Sequence, residues 1–138
     1  MKNTNRIGIG FIGGGFITRF HIKSLIGVRD CDVIGVMSKT RSSADESCAL
    51  SKELGVGEAK PYNSITDMVS DPAINALWIC APNFTRLEIM EEIVNAIESG
   101  KGELIGIACE KPLGRNVKEA KQMLALAKKV DLLDGYLE

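Results

Sequence analysis

Residues 7–15, which read Ile7-Gly8-Ile9-Gly10-Phe11-Ile12-Gly13-Gly14-Gly15, decide the predicted fold of this 138-residue chain. The first six residues are rich in β-branched and aromatic side chains, a composition that favours a short strand, and the three glycines favour a tight turn after it. Apolar residues then recur at roughly helical spacing from residue 16 onward. A strand, a glycine-rich turn and a helix in this order predict a place where backbone N–H groups bind a phosphate.

Strand-like and helix-like segments alternate along the rest of the chain. Further strands are predicted at 32–37, 59–62, 76–80, 104–109 and 132–137. Between them, capping patterns predict helix starts at Ser43, Ser64 and Asn116, and Asn83 is a natural N-cap for the helix that follows it. Because parallel strands need crossover connections, this order predicts an α/β fold with a doubly wound, mostly parallel sheet, the Rossmann fold, as a single domain over 1–138.

Two helices have apolar patterns that predict which side is buried. The first helix is expected to run from the glycine turn through Leu25 and Ile26. For the last helix, the pattern places one set of side chains on a single buried face: Val117, Ala120, Met123, Leu124 and Ala127.

Composition and charge exclude several classes of function. Lys plus Arg total 17 against 18 for Asp plus Glu, a net charge of −1 that argues against nucleic-acid or anionic-membrane partners. The four cysteines form no CxxC pair, which predicts free, buried thiols in a cytoplasmic protein and no metal site. The start of the chain is faintly basic, but glycines interrupt the apolar run behind it, so neither a secretion signal nor a membrane span is predicted.

Two registers of the G-x-G-x-x-G pattern are possible. Gly8, Gly10 and Gly13 match its letters but would lie within the first strand. The alternative register places Gly13, Gly14 and Gly15 at the turn, followed by Phe16 and Ile17 at the start of the helix. Gly13 then permits the tight turn, and Gly15 lets a pyrophosphate approach the backbone and the helix N-terminus. We prefer this second register, in which Thr18 stands where Gly or Ala is usual and is expected to loosen the packing of helix on strand.

The loop after the second strand predicts which dinucleotide is bound. An NAD site usually offers a carboxylate here to the 2′-hydroxyl of the adenosine ribose. This chain has Ser38, Lys39, Thr40 and Arg41 instead. Arg and Lys suit a 2′-phosphate, so NADP(H) is favoured over NAD(H), with a merely solvated basic loop as the alternative.

Two further motifs carry a resemblance to a known family. Cys80-Ala81-Pro82-Asn83 ends one predicted strand, and Glu110-Lys111-Pro112 follows another. Together with the glycine turn, they resemble the Gfo/Idh/MocA oxidoreductases over nearly the whole chain. The resemblance implies a nicotinamide-binding Rossmann domain followed by an α+β domain that supplies substrate contacts, oligomer contacts and catalytic Asp and His residues, a domain absent from these 138 residues.

The resemblance also assigns roles to individual residues. Lys111 is expected to be catalytic and to contact the substrate hydroxyl beside the nicotinamide. The remaining implied cofactor contacts are Cys80, Ala81, Pro82, Asn83, Arg86, Glu110 and Pro112. Arg86 stands where the family often has His, the stretch 102–109 is longer than usual, and His21 is expected to be structural.

The predicted function is hydride transfer between a nicotinamide dinucleotide and a secondary alcohol of a sugar, inositol or related polyol. The chain alone is expected to bind cofactor, to be inactive and to self-associate as a homo-oligomer. Two rivals remain: a nucleotide-sensing or regulatory Rossmann module without catalysis, and a fragment without activity of its own.

Overall fold

The structure is a computed structural model that describes residues 5–138, so most of the faintly basic start, residues 1–4, lies outside the described residues. The strands are β1 (Ile7–Ile12), β2 (Cys31–Met37), β3 (Lys60–Tyr62), β4 (Ala76–Ile79), β5 (Gly106–Glu110) and β6 (Leu133–Leu137). The helices are α1 (Phe16–Ser24), α2 (Arg41–Glu53), α3 (Ile65–Ser70), α4 (Arg86–Glu98) and α5 (Val117–Lys129). Short 3₁₀ turns follow α1 at Leu25–Gly27 and precede α4 at Asn83–Thr85.

The six strands form one sheet in the order β3-β2-β1-β4-β5-β6, with every neighbouring pair parallel. The order reverses between β1 and β4, which places the switch point of the doubly wound fold at the carboxyl ends of these two strands. The predicted α/β fold with a parallel, doubly wound sheet is therefore confirmed.

Helices cover both faces of the sheet, and neighbouring residues of a strand point to opposite faces. Phe11 belongs to a core cluster with Val33 and Val36 beneath α1 and α2, whereas Ile12 belongs to a second cluster beneath α3, α4 and α5. Phe11 is fully buried and Ile12 is nearly so. Since both faces are covered, the central strands are apolar at successive positions, as the sequence shows.

Gly8 and Gly10 have packing roles inside β1. A Cβ at Gly8 would lie 1.8 Å from the Ala73 carbonyl oxygen, and one at Gly10 would lie 2.6 Å from the Met68 methyl group. Neither glycine lies at the turn. Their role in packing accounts for the first glycine pattern and supports the register that begins at Gly13.

Helix starts were predicted well in two places and wrongly in two others. The side chains of Ser64 and Asn116 accept hydrogen bonds from the third residue after each of them, at 3.0 and 2.9 Å, as predicted. Ser43, by contrast, lies inside α2, whose N-cap is Thr40. Asn83 is also not the N-cap of α4, because the 3₁₀ turn intervenes and moves the cap to Thr85.

Three predicted segments need smaller corrections. The first helix ends at Ser24, so Leu25 and Ile26 belong to the 3₁₀ turn, and β5 spans Gly106–Glu110 rather than 104–109. On α5, Met123 and Ala127 are buried as expected, but Val117 and Leu124 are 70% and 40% exposed. The helix therefore contacts the sheet through a narrower stripe than its apolar pattern predicts.

The cysteines are all free, but only Cys48 and Cys109 are buried, while Cys31 and Cys80 are partly exposed. Within residues 5–138 there is no helix of the length and apolarity that a bilayer crossing requires.

Candidate functional site

A cleft of about 580 Å³ lies at the carboxyl ends of β1, β2 and β4, where the strand order reverses. Most of the predicted site residues line it: Gly13, Gly14, Gly15, Phe16, Ile17, Ser38, Lys39, Cys80, Ala81, Pro82 and Arg86. Arg41, Asn83, Glu110, Lys111 and Pro112 lie outside this lining set. The structure thus brings the glycine turn, the loop after β2 and the turn after β4 together around one space.

The three glycines of the turn have different surroundings. Gly13 has a φ of +106°, and a Cβ there would lie 2.8 Å from the Ala81 nitrogen, so no other residue fits this position. A Cβ at Gly14 would lie 2.9 Å from the backbone of Ser43. Gly15 is exposed, and a Cβ added there would have no neighbouring atom within 4 Å. The open space beside the backbone of Gly15 is what a bound pyrophosphate requires.

The start of α1 faces this open space. Gly15 is the N-cap residue and supplies no side-chain cap, which leaves the first N–H groups of the helix available to an anion. The first turn of α1 contains no acidic residue. Backbone and helix dipole therefore fit a phosphate group at this point.

Thr18, which stands where Gly or Ala is usual, is bonded to the glycine turn. Its side chain is fully buried, and its hydroxyl donates a 2.6 Å hydrogen bond to the Gly13 carbonyl. This bond connects α1 to the glycine turn. The hydroxyl thus gives the position a polar contact in place of the close packing that Gly or Ala would allow.

The two predicted phosphate-binding cations that follow β2 have different surroundings. Lys39 lines the cleft, is exposed, and forms no ion pair with any residue of the described chain. Arg41, the first residue of α2, instead pairs with Asp45 at 3.0 Å and reaches the Asn63 side-chain oxygen at 3.5 Å. Lys39 is therefore the cation that this loop presents to the cleft.

Arg86 is the most deeply buried charged residue in the cleft lining, with 4% of its surface exposed. Its Nε donates to the Ala81 carbonyl at 2.9 Å, and its Nη1 donates to the Glu110 carbonyl at 2.6 Å and to the Pro112 carbonyl. These bonds join the turn after β4 to the turn after β5, where the Lys111–Pro112 peptide is cis. An arginine can span this gap because its donors diverge in one plane.

Glu110 is buried at the end of β5, and its carboxylate oxygen lies 2.8 Å from His21 Nε2, within hydrogen-bond distance. His21 also lies edge-on to the Trp78 ring, with centroids 5.1 Å apart. The expected structural role of His21 fits these contacts, which connect α1 to the end of β5.

Lys111 directly follows Glu110 at the carboxyl end of β5, and it is exposed. Its backbone N–H donates to the Leu137 carbonyl at 3.0 Å, which continues the pairing of β5 with β6. Its ammonium forms no ion pair with any residue of the range 5–138 that the structure describes. The side chain is consequently available to a ligand.

Cys80 contributes a thiol to the wall of the cleft. Burial raises the pKa of this thiol to about 12, so it is protonated and unreactive near neutral pH. Its chemistry fits packing against a ligand rather than nucleophilic attack.

Sequence reasoning missed Phe84, which lines the cleft although 60% of its surface is exposed. Phe16, 77% exposed, lines it as well. Phe84 directly follows the Pro82-Asn83 turn, so an aromatic residue beside a predicted ligand-binding turn was the available signal. Exposed aromatic rings of this kind offer surface on which a flat heterocycle can pack.

The chain matches the family model of the Gfo/Idh/MocA oxidoreductases, described as an NAD-binding Rossmann fold, over residues 7–133. It belongs to this family. The match includes both motifs on which the resemblance was based, and it confirms the predicted family and the nicotinamide-binding class of the Rossmann domain.

Relatives in sequence include a reductase and a dehydrogenase. A 1,5-anhydro-D-fructose reductase of Ensifer adhaerens is 29% identical over 126 residues, which cover 91% of this chain and 34% of the relative. A myo-inositol 2-dehydrogenase of Thermotoga maritima is 29% identical over 125 residues, with the same coverage. The chain therefore spans about a third of the length of the curated relatives it matches.

Solved structures of similar fold include one NAD complex and one NADP complex. GenD2 from gentamicin A biosynthesis in complex with NAD superimposes with a TM-score of 0.77 at 20% identity, covering 99% of this chain and 35% of that one. A 3-ketoreductase from Actinomadura kijaniata in complex with NADP and TDP-benzene gives a TM-score of 0.77 at 19% identity, covering 96% and 37%. Both confirm the fold.

Proposed function

We propose that this domain binds NADP(H) in preference to NAD(H) and supplies the cofactor half of an oxidoreductase. The reaction proposed is hydride transfer between the nicotinamide and a secondary alcohol of a sugar, inositol or related polyol. One observation carries the proposal: Gly15 opens onto a cleft whose lining residues, among those the structure describes, include Lys39 and Arg86 but no Asp or Glu.

The pyrophosphate is assigned to the glycine turn for a steric and an electrostatic reason. Gly15 leaves room beside the backbone, while the uncapped start of α1 offers N–H groups to negative oxygens. Gly13 and Gly14 are needed for other contacts, the first against Ala81 and the second against Ser43. Only the last of the three glycines is therefore free to serve the ligand.

The adenosine ribose is assigned to the loop after β2, where Ser38 and Lys39 line the cleft. A carboxylate at this loop would repel a 2′-phosphate, and none of the described lining residues carries one. The free ammonium of Lys39 attracts that phosphate as a point charge. Arg41 contributes less than the sequence suggests, because it is paired with Asp45.

The catalytic assignment rests on Lys111, an exposed lysine at the carboxyl end of β5 without an ion-pair partner among residues 5–138. We propose that its ammonium hydrogen-bonds and polarises the substrate oxygen, while a base outside the described residues exchanges the hydroxyl proton. When bound, the nicotinamide supplies the hydride chemistry. The substrate class is supported by the relatives named for an anhydrofructose and for myo-inositol.

Three further expectations accompany this proposal, and they concern self-association, cellular compartment and activity. Exposed apolar side chains, among them Phe16, Phe20 and Leu133, favour self-association of the isolated domain. The four free thiols suit a reducing compartment such as the cytoplasm. We also expect the domain alone to bind cofactor without measurable turnover of sugars or polyols.

Fluorescence titration of the purified domain with NADPH and NADH tests the cofactor assignment. We expect NADPH to bind about tenfold more tightly, a gap that shrinks at high salt because it arises from charge attraction. Lys39→Ala should remove most of the gap by weakening NADPH alone. The matched control is Lys52→Ala, which removes an exposed lysine from the last turn of the same helix that begins at Arg41.

Equal affinities, or tighter binding of NADH by the unchanged domain, would contradict the NADP(H) assignment but not dinucleotide binding. Failure of both cofactors to bind would contradict the proposed function itself. Lys111→Ala should leave both affinities nearly unchanged here, because the proposed contact of this lysine is with substrate.

A further inference from the structure

Arg86 places a buried positive charge in the cleft and forms no ion pair with any carboxylate of the described residues. Its Nε and Nη1 bind only backbone carbonyls, those of Ala81, Glu110 and Pro112. Its Nη2 has no hydrogen-bond partner among the described residues, and no fully buried side-chain nitrogen or oxygen in that part of the chain lacks one. Nη2 therefore retains access to the cleft that Arg86 lines.

The position of Arg86 along the cleft indicates which part of a dinucleotide it meets, an argument that rests on the proposed function. The turn at Gly15 takes the pyrophosphate, and Ser38 and Lys39 at the end of β2 take the adenosine ribose. The remaining half of the ligand must extend across the switch point toward the ends of β4 and β5. Arg86 joins the turns that follow these two strands.

The ionisable neighbours of Arg86 do not cancel its charge. The carboxylate of Glu110 faces His21 at 2.8 Å, whereas Arg86 binds only the backbone oxygen of Glu110. The next residue, Lys111, adds a second cation at the rim. The turn after β5 therefore adds one cationic and one acidic side chain near Arg86, and the acidic one is engaged with His21.

We propose that Arg86 makes this site discriminate between the two redox forms of the cofactor and favour the reduced one. The oxidised nicotinamide ring carries a positive charge, and the dihydronicotinamide ring is neutral. A buried guanidinium beside the ring repels the former and not the latter, and the repulsion is strong where water is excluded. Arg86 is thus a specificity-determining residue for the redox state of the cofactor that the domain binds.

The test compares dissociation constants of NADP⁺ and NADPH for the unchanged domain and for two variants of Arg86. The unchanged domain should bind NADPH more tightly, and Arg86→Met should reduce the ratio of the two constants by about fivefold, through tighter relative binding of NADP⁺. Arg86→Lys keeps the charge and should keep the ratio within about a factor of two of its starting value. Arg29→Met removes an exposed arginine before β2, at the opposite edge of the sheet, and should leave the ratio unchanged.

Binding of 2′-phospho-ADP-ribose, which lacks the nicotinamide, reports whether each variant still folds and holds the rest of the ligand. Its affinity should change little between Arg86→Met and Arg86→Lys. If the Met variant does not fold, the unchanged domain and the Lys variant can still overturn the inference, since both must favour NADPH. A ratio that favours NADP⁺, or one that Met and Lys alter equally, overturns the inference while leaving dinucleotide binding intact. Loss of all dinucleotide binding by the unchanged domain would instead overturn the proposed function.

Discussion

The amino ends and the carboxyl ends of the parallel strands, here called the amino edge and the carboxyl edge of the sheet, differ in how their cationic side chains are paired. At the amino edge, Arg6 precedes β1 and donates to Asp32 at 2.7 Å, and Asp30 lies 3.8 Å away. At the carboxyl edge, Lys39 has no ion pair among residues 5–138 and Arg86 is bound only by carbonyl oxygens. The cation that precedes β1 is therefore paired within the protein, whereas two cations at the carboxyl edge remain available to a ligand.

The glycines show the same contrast. A side chain at Gly8, near the amino edge, would collide with the Ala73 carbonyl, whereas a side chain at Gly15 would meet nothing. Gly8 is therefore required for close packing of the backbone, whereas Gly15 leaves the backbone of the turn accessible to a ligand. Together, these differences indicate that the carboxyl edge is organised around an anionic ligand.

The largest expected effect comes from substituting one glycine at each edge. Gly15→Val should weaken NADPH binding by at least about a hundredfold and leave the fold intact, because the new side chain occupies the space assigned to the pyrophosphate. Gly8→Ala should instead lower the free energy of unfolding by about 3 kcal/mol through overpacking. Titration and chemical denaturation of both variants test this division. Normal NADPH binding by Gly15→Val would show that the glycine turn is not part of the binding site.

A smaller effect is expected from the two partly exposed thiols, one at each edge. Cys80 lines the cleft, and Cys31 begins β2 at the amino edge. Burial raises the pKa of both thiols, that of Cys80 to about 12, so alkylation should be slow at pH 8 and accelerate by about tenfold per pH unit as the thiolate forms.

Saturating NADPH should slow alkylation of Cys80 by about fivefold or more, since a ligand that covers the cleft limits access. Cys31 serves as the internal control and should react at the same rate with and without cofactor. Peptide mass spectrometry after timed labelling measures both rates in one sample. Equal protection of the two thiols would indicate a general stabilisation of the fold rather than a ligand over Cys80.

Local signals predicted most of this architecture, and the failures involve contacts between distant segments. Ser64 and Asn116 were identified as caps because the residues they bind are three positions away. The true cap of α2, Thr40, supplies no side-chain bond, so the Ser43 pattern was misleading. The register of the glycine turn was also predictable, since only one register leaves a strand before it.

The contacts that shape the site could not be predicted in this way. Arg86 binds carbonyls of residues 110 and 112, and His21 binds Glu110 across 89 positions of sequence. Such pairs depend on which strand ends the topology brings together. Family resemblance indicated that positions 86 and 110 matter, but only the folded chain shows that Arg86 joins the two turns.

The smallest expected effect concerns the amino edge alone. The hydrogen bond from Arg6 lowers the pKa of the Asp32 carboxyl group. A carboxyl group whose pKa is depressed by folding stabilises the folded state above its unfolded pKa of about 3.9, and this contribution is lost as the pH falls through the folded value. Asp32→Asn should therefore reduce stability slightly at pH 7 and by less near pH 3, because the contribution shrinks as the pH falls below the unfolded pKa. Because the pair is exposed, the loss should be small and should fade with added salt.

Chemical denaturation of Asp32→Asn at the two pH values measures this loss of stability. Asp134→Asn, which removes an exposed carboxylate from β6, is the control for net charge. Cofactor affinity should be unchanged in both variants; weaker NADPH binding by Asp32→Asn would mean that the two edges are coupled and that the charge balance at one edge is not independent of the other.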